Sequence, residues 1–333
     1  MGIAALPRST GTQAAPRDSL LSRKPRSLWI DARDRLLRNR AAVAGMIIIL
    51  VFGLIAVFAR QVAPHSPLAI YKNNQYRLAA WVDDRNPVKD GNWMFPLGSD
   101  ANGRDVLSRV IFGARVSMVV AIVPMLVIVI VGVSVGLYSG WKGGWADMVI
   151  MRIGDVLYAF PGLLFFVIIM AALRETWVGQ LLNGMFLLFF ALSLVNWVGL
   201  ARQVRGQVLA LREKEFIEAA RSIGASDMRI MYQHLVPNTL GPIIVSVAFG
   251  IPNLIIVEAA LGYLGIGLRP ATDPNATFIT SWGVLLNEGQ QAIFAQPWLL
   301  LAPAICVALV VISFNFVGDG LRDALDPRMR GTS

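Results

Sequence analysis

The chain is poor in the residues from which most chemical sites are built. Its one cysteine, Cys306, sits in an apolar run, which excludes an intramolecular disulfide and a thiolate metal cluster. That leaves it as a small packing group. The two histidines, His65 and His234, are far apart and lack ligand-like neighbours, so neither reads as a metal ligand. Charged residues make up 15% of the sequence, against about a quarter in soluble domains. There is no G-x-x-x-x-G-K-S/T phosphate loop, so the chain is expected neither to bind nor to hydrolyse ATP. H-E-x-x-H is also missing, which argues against an intramembrane metalloenzyme. Energy for any work must come from a partner or an ion gradient.

What is plentiful is apolar surface. Hydrophobic residues reach 56%, and the mean hydropathy is +0.59. The expected class is an all-α, multi-pass transmembrane helical bundle of about six spanning helices. A net charge of +9 in such a chain marks the cytoplasmic flanks of spans rather than a nucleic-acid surface.

Residues 1–27 are rich in Pro, Ser, Thr and Arg and read as a disordered tail with no secretory signal. From Leu28 to Arg40, Trp29, Ile30, Leu36 and Leu37 interleave with Arg33, Arg35, Arg38 and Arg40. That pattern predicts a basic amphipathic helix on a membrane surface, closing a cytoplasmic N-terminal region at 1–40. A first transmembrane helix follows at 41–60 and an extracytoplasmic segment at 61–112. A five-helix core is expected at 113–320, with spans near 116–138, 156–173, 184–201, 238–257 and 297–318. Short inner residues 141–155 separate the second and third spans, and 321–333 form a C-terminal tail. Gly132, Gly136 and Gly140 recur every four residues in the second span, a stripe that lets a neighbouring helix approach closely. The placement of Lys and Arg puts both termini in the cytoplasm.

The most informative stretch is the polar island Lys214–Asn238, within a loop at about 206–237. Glu215, Glu218 and Ser222 share one helical face. Gly224 suits a helix stop, and Ser226 or Asp227 can cap a second short helix running to His234. Helix, tight turn, helix, outside the bilayer, is the expected form. A connector of no special role would also be polar.

Glu218-Ala219-Ala220, then Gly224 and Pro237, resemble the EAA loop of ABC-transporter permeases, with His234 and Val236 as departures from the pattern. Pro96-Leu97-Gly98-Ser99-Asp100 through Gly103-Arg104-Asp105-Val106-Leu107-Ser108-Arg109 resembles the signature of peptide and nickel importer permeases. Gly318-Asp319-Gly320-Leu321-Arg322-Asp323-Ala324-Leu325-Asp326-Pro327 is similar to that family's terminal motif. The resemblance covers Pro96 to Arg330 and is nearest to the C-type subunit of dipeptide and oligopeptide importers. It implies a permease subunit in the inner membrane without its own cofactor. ATP and Mg would be held by two cytoplasmic ATPase subunits. The other implied partners are a homologous second permease, an extracytoplasmic solute-binding protein, a peptide substrate and the lipid bilayer. It further implies that Glu215, Glu218, Ala219, Ala220, Ser222, Gly224, Ala225, Ser226 and Pro237 couple the chain to the ATPase.

Phe249, Pro252, Asn253 and Ile256 are implied near a translocation gate. Glu258, flush with the end of an apolar span, either lines the outer mouth of the pathway or sits among headgroups. Asp100, Arg104, Asp105 and Arg109, at spacings of four, either anchor the outer end of the second span or, for Asp100, Arg104 and Asp105, face the binding protein. Arg322 with Asp319 and Asp326 is expected as a salt network. A secondary transporter or channel working alone is the competing class, against which the shortage of intramembrane ionisable residues counts. An importer for nickel or another small solute is a further alternative.

Overall fold

A computed structural model describes residues 28–326 apart from 85, 88, 270 and 274. The tail at 1–27 and residues 327–333, with Arg328 and Arg330, lie outside the described residues. The described part is helical, with one isolated bridge between Ser99 and Asp105.

Helix α1 (Leu28–Arg38) is followed by α2 (Arg40–Val57), broken from it at Asn39. The Asn39 side chain accepts from the N–H groups of Ala41 and Ala42, which caps α2. After α3 (Ala59–Val62) the chain runs in turns to Asp105. Tyr71, Phe95 and His65 hold that segment together, their rings 5.3–5.5 Å apart. Helix α4 (Val106–Lys142) starts earlier than the span expected at 116 because Asp105 caps it, accepting from the Ser108 N–H at 2.9 Å. At 37 residues it is roughly 55 Å long, longer than the hydrocarbon core of about 30 Å, so it projects at its ends.

The span expected at 156–173 is instead two helices, α5 (Gly144–Tyr158) and α6 (Gly162–Leu173), bent by 84°. Pro161 causes the break, since the residue before a proline is driven out of the helical region. Most of the predicted inner loop is therefore helix α5. Then come α7 (Trp177–Gln180) and α8 (Met185–Leu211), joined through Leu182, Asn183 and Gly184, all with positive φ. The elbow helices α9 (Glu215–Ser222) and α10 (Asp227–Ile230) lead by one wide turn, Met231–Leu235, into α11 (Val236–Tyr263). The second elbow helix thus does not stop at His234 but flows into the next span. Helix α12 (Trp282–Gln291) is tucked among α4, α11 and α13 (Trp298–Leu325). Five helical stretches among the described residues are long and apolar enough to cross a membrane, or six if the bent pair counts as one.

The central packing is α4 on α8, and the glycine stripe is its seam. A Cβ on Gly136 would lie 2.6 Å from the Ala201 carbonyl oxygen, and one on Gly140 2.8 Å from Val208 Cβ. Small residues let the two backbones meet there, where lipid supplies no hydrophobic drive between helices. Trp282 of α12 is fully buried against α4, its indole N–H donating to the Val110 carbonyl at 2.9 Å.

Candidate functional sites: an elbow, a cavity and a buried ion cluster

The elbow is set by local chemistry. Gly224 has φ +82°, the Ala225 N–H donates to the Ala220 carbonyl at 3.0 Å, and the Gly224 N–H to that of Arg221 at 2.9 Å. That pair of bonds is a Schellman termination. Ser226 then caps α10, accepting from the Arg229 N–H at 3.4 Å. Ile217 and Ala220 turn inward and Ala225 packs on the core beneath. Glu215, Glu218, Ala219, Ser222, Gly224, Ser226 and Pro237 are exposed.

Sequence reasoning passed over three neighbours that complete this surface. Ile223 is 86% exposed, Tyr232 66% and Met228 57%. Apolar side chains thus stand open beside the acidic Glu215 and Glu218. The available signal was large apolar residues inside an otherwise polar loop. The elbow is tied to the end of α4: the Arg221 guanidinium lies 4.5 Å over the Trp141 ring, and Lys142 Nζ is 3.6 Å from Asp227 Oδ2. Nearby, Arg205 clamps Asp147 with bonds of 2.5 and 2.6 Å, fixing α5 to α8.

A cavity of about 430 Å³ lies between α4, α8 and α11. Phe249 and Asn253 line it, as do Asn196, Gln203 and Ser246, which sequence reasoning did not single out. Neutral polar groups inside apolar helices were the missed sign. The other predicted gate residues do not line it. Pro252 is buried in α11, and Ile256 is exposed elsewhere. Glu258 is not at a helix end or in the mouth of a pathway: α11 continues to Tyr263, and the carboxyl is fully buried, accepting from Ser117 Oγ at 3.3 Å. Neither expected position, at an outer mouth or among headgroups, fits a carboxyl buried between α4 and α11. Glu258→Gln, of nearly the same shape, is expected to stay within about 1 kcal/mol of the parent's stability, read from thermal unfolding in detergent.

The first outer segment carries another correction. Asp100 and Asp105 are 1% and 0% exposed, so neither can meet a receptor, and Arg104 is largely covered as well. The charges do not pair along a helical face, because Asp100 and Arg104 precede α4. Asp100 instead accepts from Arg104 Nε at 2.6 Å and from Arg109 Nη1 at 2.7 Å. Arg109 Nη2 donates to Glu288 Oε1 at 2.9 Å, which stitches α4 to α12. Asp105 faces His65, 3.5 Å away. Removing one partner of a buried pair strands the other charge. Asp100→Ala should therefore lower stability in detergent by about 3 kcal/mol, read from thermal unfolding, with a smaller loss for Arg104→Gln. Of the expected network around Arg322, no ion pair with Asp319 is present among the described residues.

Two sequence profiles match the chain. One, the binding-protein-dependent transport system inner membrane component, covers residues 132–331. The other, the N-terminal transmembrane domain of oligopeptide transport permease C, covers residues 27–80. The second match lies wholly before Pro96, where the motif resemblance begins. The oligopeptide transport system permease protein OppC of Salmonella typhimurium is 45% identical over 305 residues, 92% of this chain and 93% of the relative. The dipeptide transport system permease protein DppC of Alkalihalophilus pseudofirmus is 36% identical over 315 residues, 95% and 94% of the two chains. The glutathione transport system permease protein GsiD of Shigella flexneri is 37% identical over 310 residues, 92% of each. A multi-pass helical bundle with these matches defines the class of membrane permeases. The chain belongs to the family of binding-protein-dependent transport system inner membrane components.

Proposed function

We propose that this chain is the membrane-spanning permease subunit of an ATP-driven importer of oligopeptides or dipeptides. It acts with a homologous second permease, two cytoplasmic ATPase subunits holding ATP and Mg, and an extracytoplasmic solute-binding protein. The elbow end of the bundle, where α4 and α8 finish, is cytoplasmic, and so are both termini. The order of spans brings α1 and the end of α13 to that same side, and the excess of Lys and Arg there agrees with the positive-inside rule.

The observation that carries the reading is the exposed α9–α10 elbow braced on the end of α4 through Arg221 and Trp141. When the ATPase subunits close, a body docked on Ile223, Met228, Glu215 and Glu218 would press the elbow. The pressure would pass to α4, which is packed along its length on α8, and change the opening of the cavity on the translocation path. Phe249 and Asn253 line that path. Pro252, Ile256 and Glu258 lie outside the cavity lining.

The test is purification of the chain with its membrane partners. ATPase subunits and a second permease should come with it, and hydrolysis should rise when the peptide-loaded binding protein is added. A chain that transports peptides alone, driven by an ion gradient, would overturn the proposal.

A further inference from the structure

We infer that Asn196 and Asn253 form a binding rung for the main-chain amides of the transported peptide, one that does not discriminate by side-chain charge. The inference rests on the cavity being part of the translocation path.

The cavity's polar groups fall into two levels. Asn196 and Gln203 on α8 are seven residues apart, as are Ser246 and Asn253 on α11, so each pair shares a helix face about 10 Å apart along the axis. At the cytoplasmic level the groups satisfy one another. Gln203 Nε2 donates to the Pro242 carbonyl at 3.1 Å, and the Ser246 hydroxyl donates to Gln203 Oε1. That bridge ties α8 to α11.

At the outer level the groups keep hydrogen-bonding capacity to spare. Asn196 spends one amide hydrogen on its own helix, donating to the Leu192 carbonyl at 2.7 Å, which leaves its oxygen open. Asn253 has no hydrogen-bond partner among the described residues, though it lies between apolar neighbours in α11. An unpaired carboxamide at that depth is costly unless it faces water, protein or a ligand. A carboxamide carries donors and an acceptor side by side, the complement of a peptide unit. Every peptide offers such units whatever its side chains, so the rung suits a chain that passes peptides of many sequences.

The test uses the complete transporter in proteoliposomes, with two tripeptides differing only in a central lysine or glutamate. Asn253→Asp should shift the transport ratio toward the lysine peptide by on the order of tenfold, and Asn253→Lys should shift it equally the other way. In a Cys306→Ser background, Asn253→Cys should react with a water-soluble maleimide during turnover. Saturating tripeptide should slow that reaction. Labelling with unchanged ratios and no protection would overturn the rung while leaving the cavity on the path. No labelling in any nucleotide state would overturn the path as well.

Discussion

Gly224→Asp is expected to abolish binding-protein-stimulated ATP hydrolysis while the protein remains in the membrane at parental levels. The residue has φ +82°, and a Cβ built on it meets nothing within 4 Å. The fold therefore feels only backbone strain, about 1 kcal/mol for a residue forced left-handed, and less for one as short and polar as aspartate. Function feels much more, because the new carboxylate projects beside the exposed Ile223 into whatever docks there. A desolvated, unpaired charge in an interface costs several kcal/mol, enough for a loss of stimulation exceeding about a hundredfold. Gly224→Asn, which accepts the same conformation without charge, should keep a substantial share of the stimulation. The measurement is ATP hydrolysis by the reconstituted complex, with membrane content followed in parallel. Normal stimulation of the aspartate variant would remove the elbow from the mechanism.

Gly136→Leu is expected to have the largest structural effect of any single change on the α4–α8 seam. Its Cβ alone would stand 2.6 Å from the Ala201 carbonyl oxygen and 2.8 Å from Val204 Cβ. Neither neighbour can yield without the helices moving apart. Overpacking of this kind costs about 3 kcal/mol or more, and here it would also separate the walls of the cavity and shift the Trp141 end of α4. Little complex with partner subunits should be recovered, and what is recovered should melt at a lower temperature in detergent. Gly53→Leu is the control: nothing lies within 4 Å of a Cβ there, and it should behave like the parent. Equal recovery of the two variants would show that the stripe is not a packing seam.

The parts of the chain that could be read in one dimension share a cause. Long apolar runs separated by basic flanks disclose spanning helices because the bilayer leaves the backbone few alternatives. The glycine stripe was visible because its period matches a helix face. The elbow was legible because capping and termination depend on residues within a few positions of one another: Gly224, Ser226 and Asp227. The 84° bend between α5 and α6 was harder to see. Its local cause, Pro161, was present in the sequence, but a proline inside an apolar run can also sit in a helix, as Pro124 does in α4.

By itself, the sequence determined that this protein is a helical membrane bundle, and it marked the loop that makes the turn at Gly224. Only the tertiary structure decided what its charged and polar side chains do. Asp100, Arg109 and Glu288 become one ion cluster across residues far apart in the chain, Glu258 is buried outside the cavity lining, and Asn196 is brought to the same cavity as Asn253. Helix propensity and hydropathy act over a few residues, whereas the cost of burying a charge or an amide depends on what other helices bring beside it.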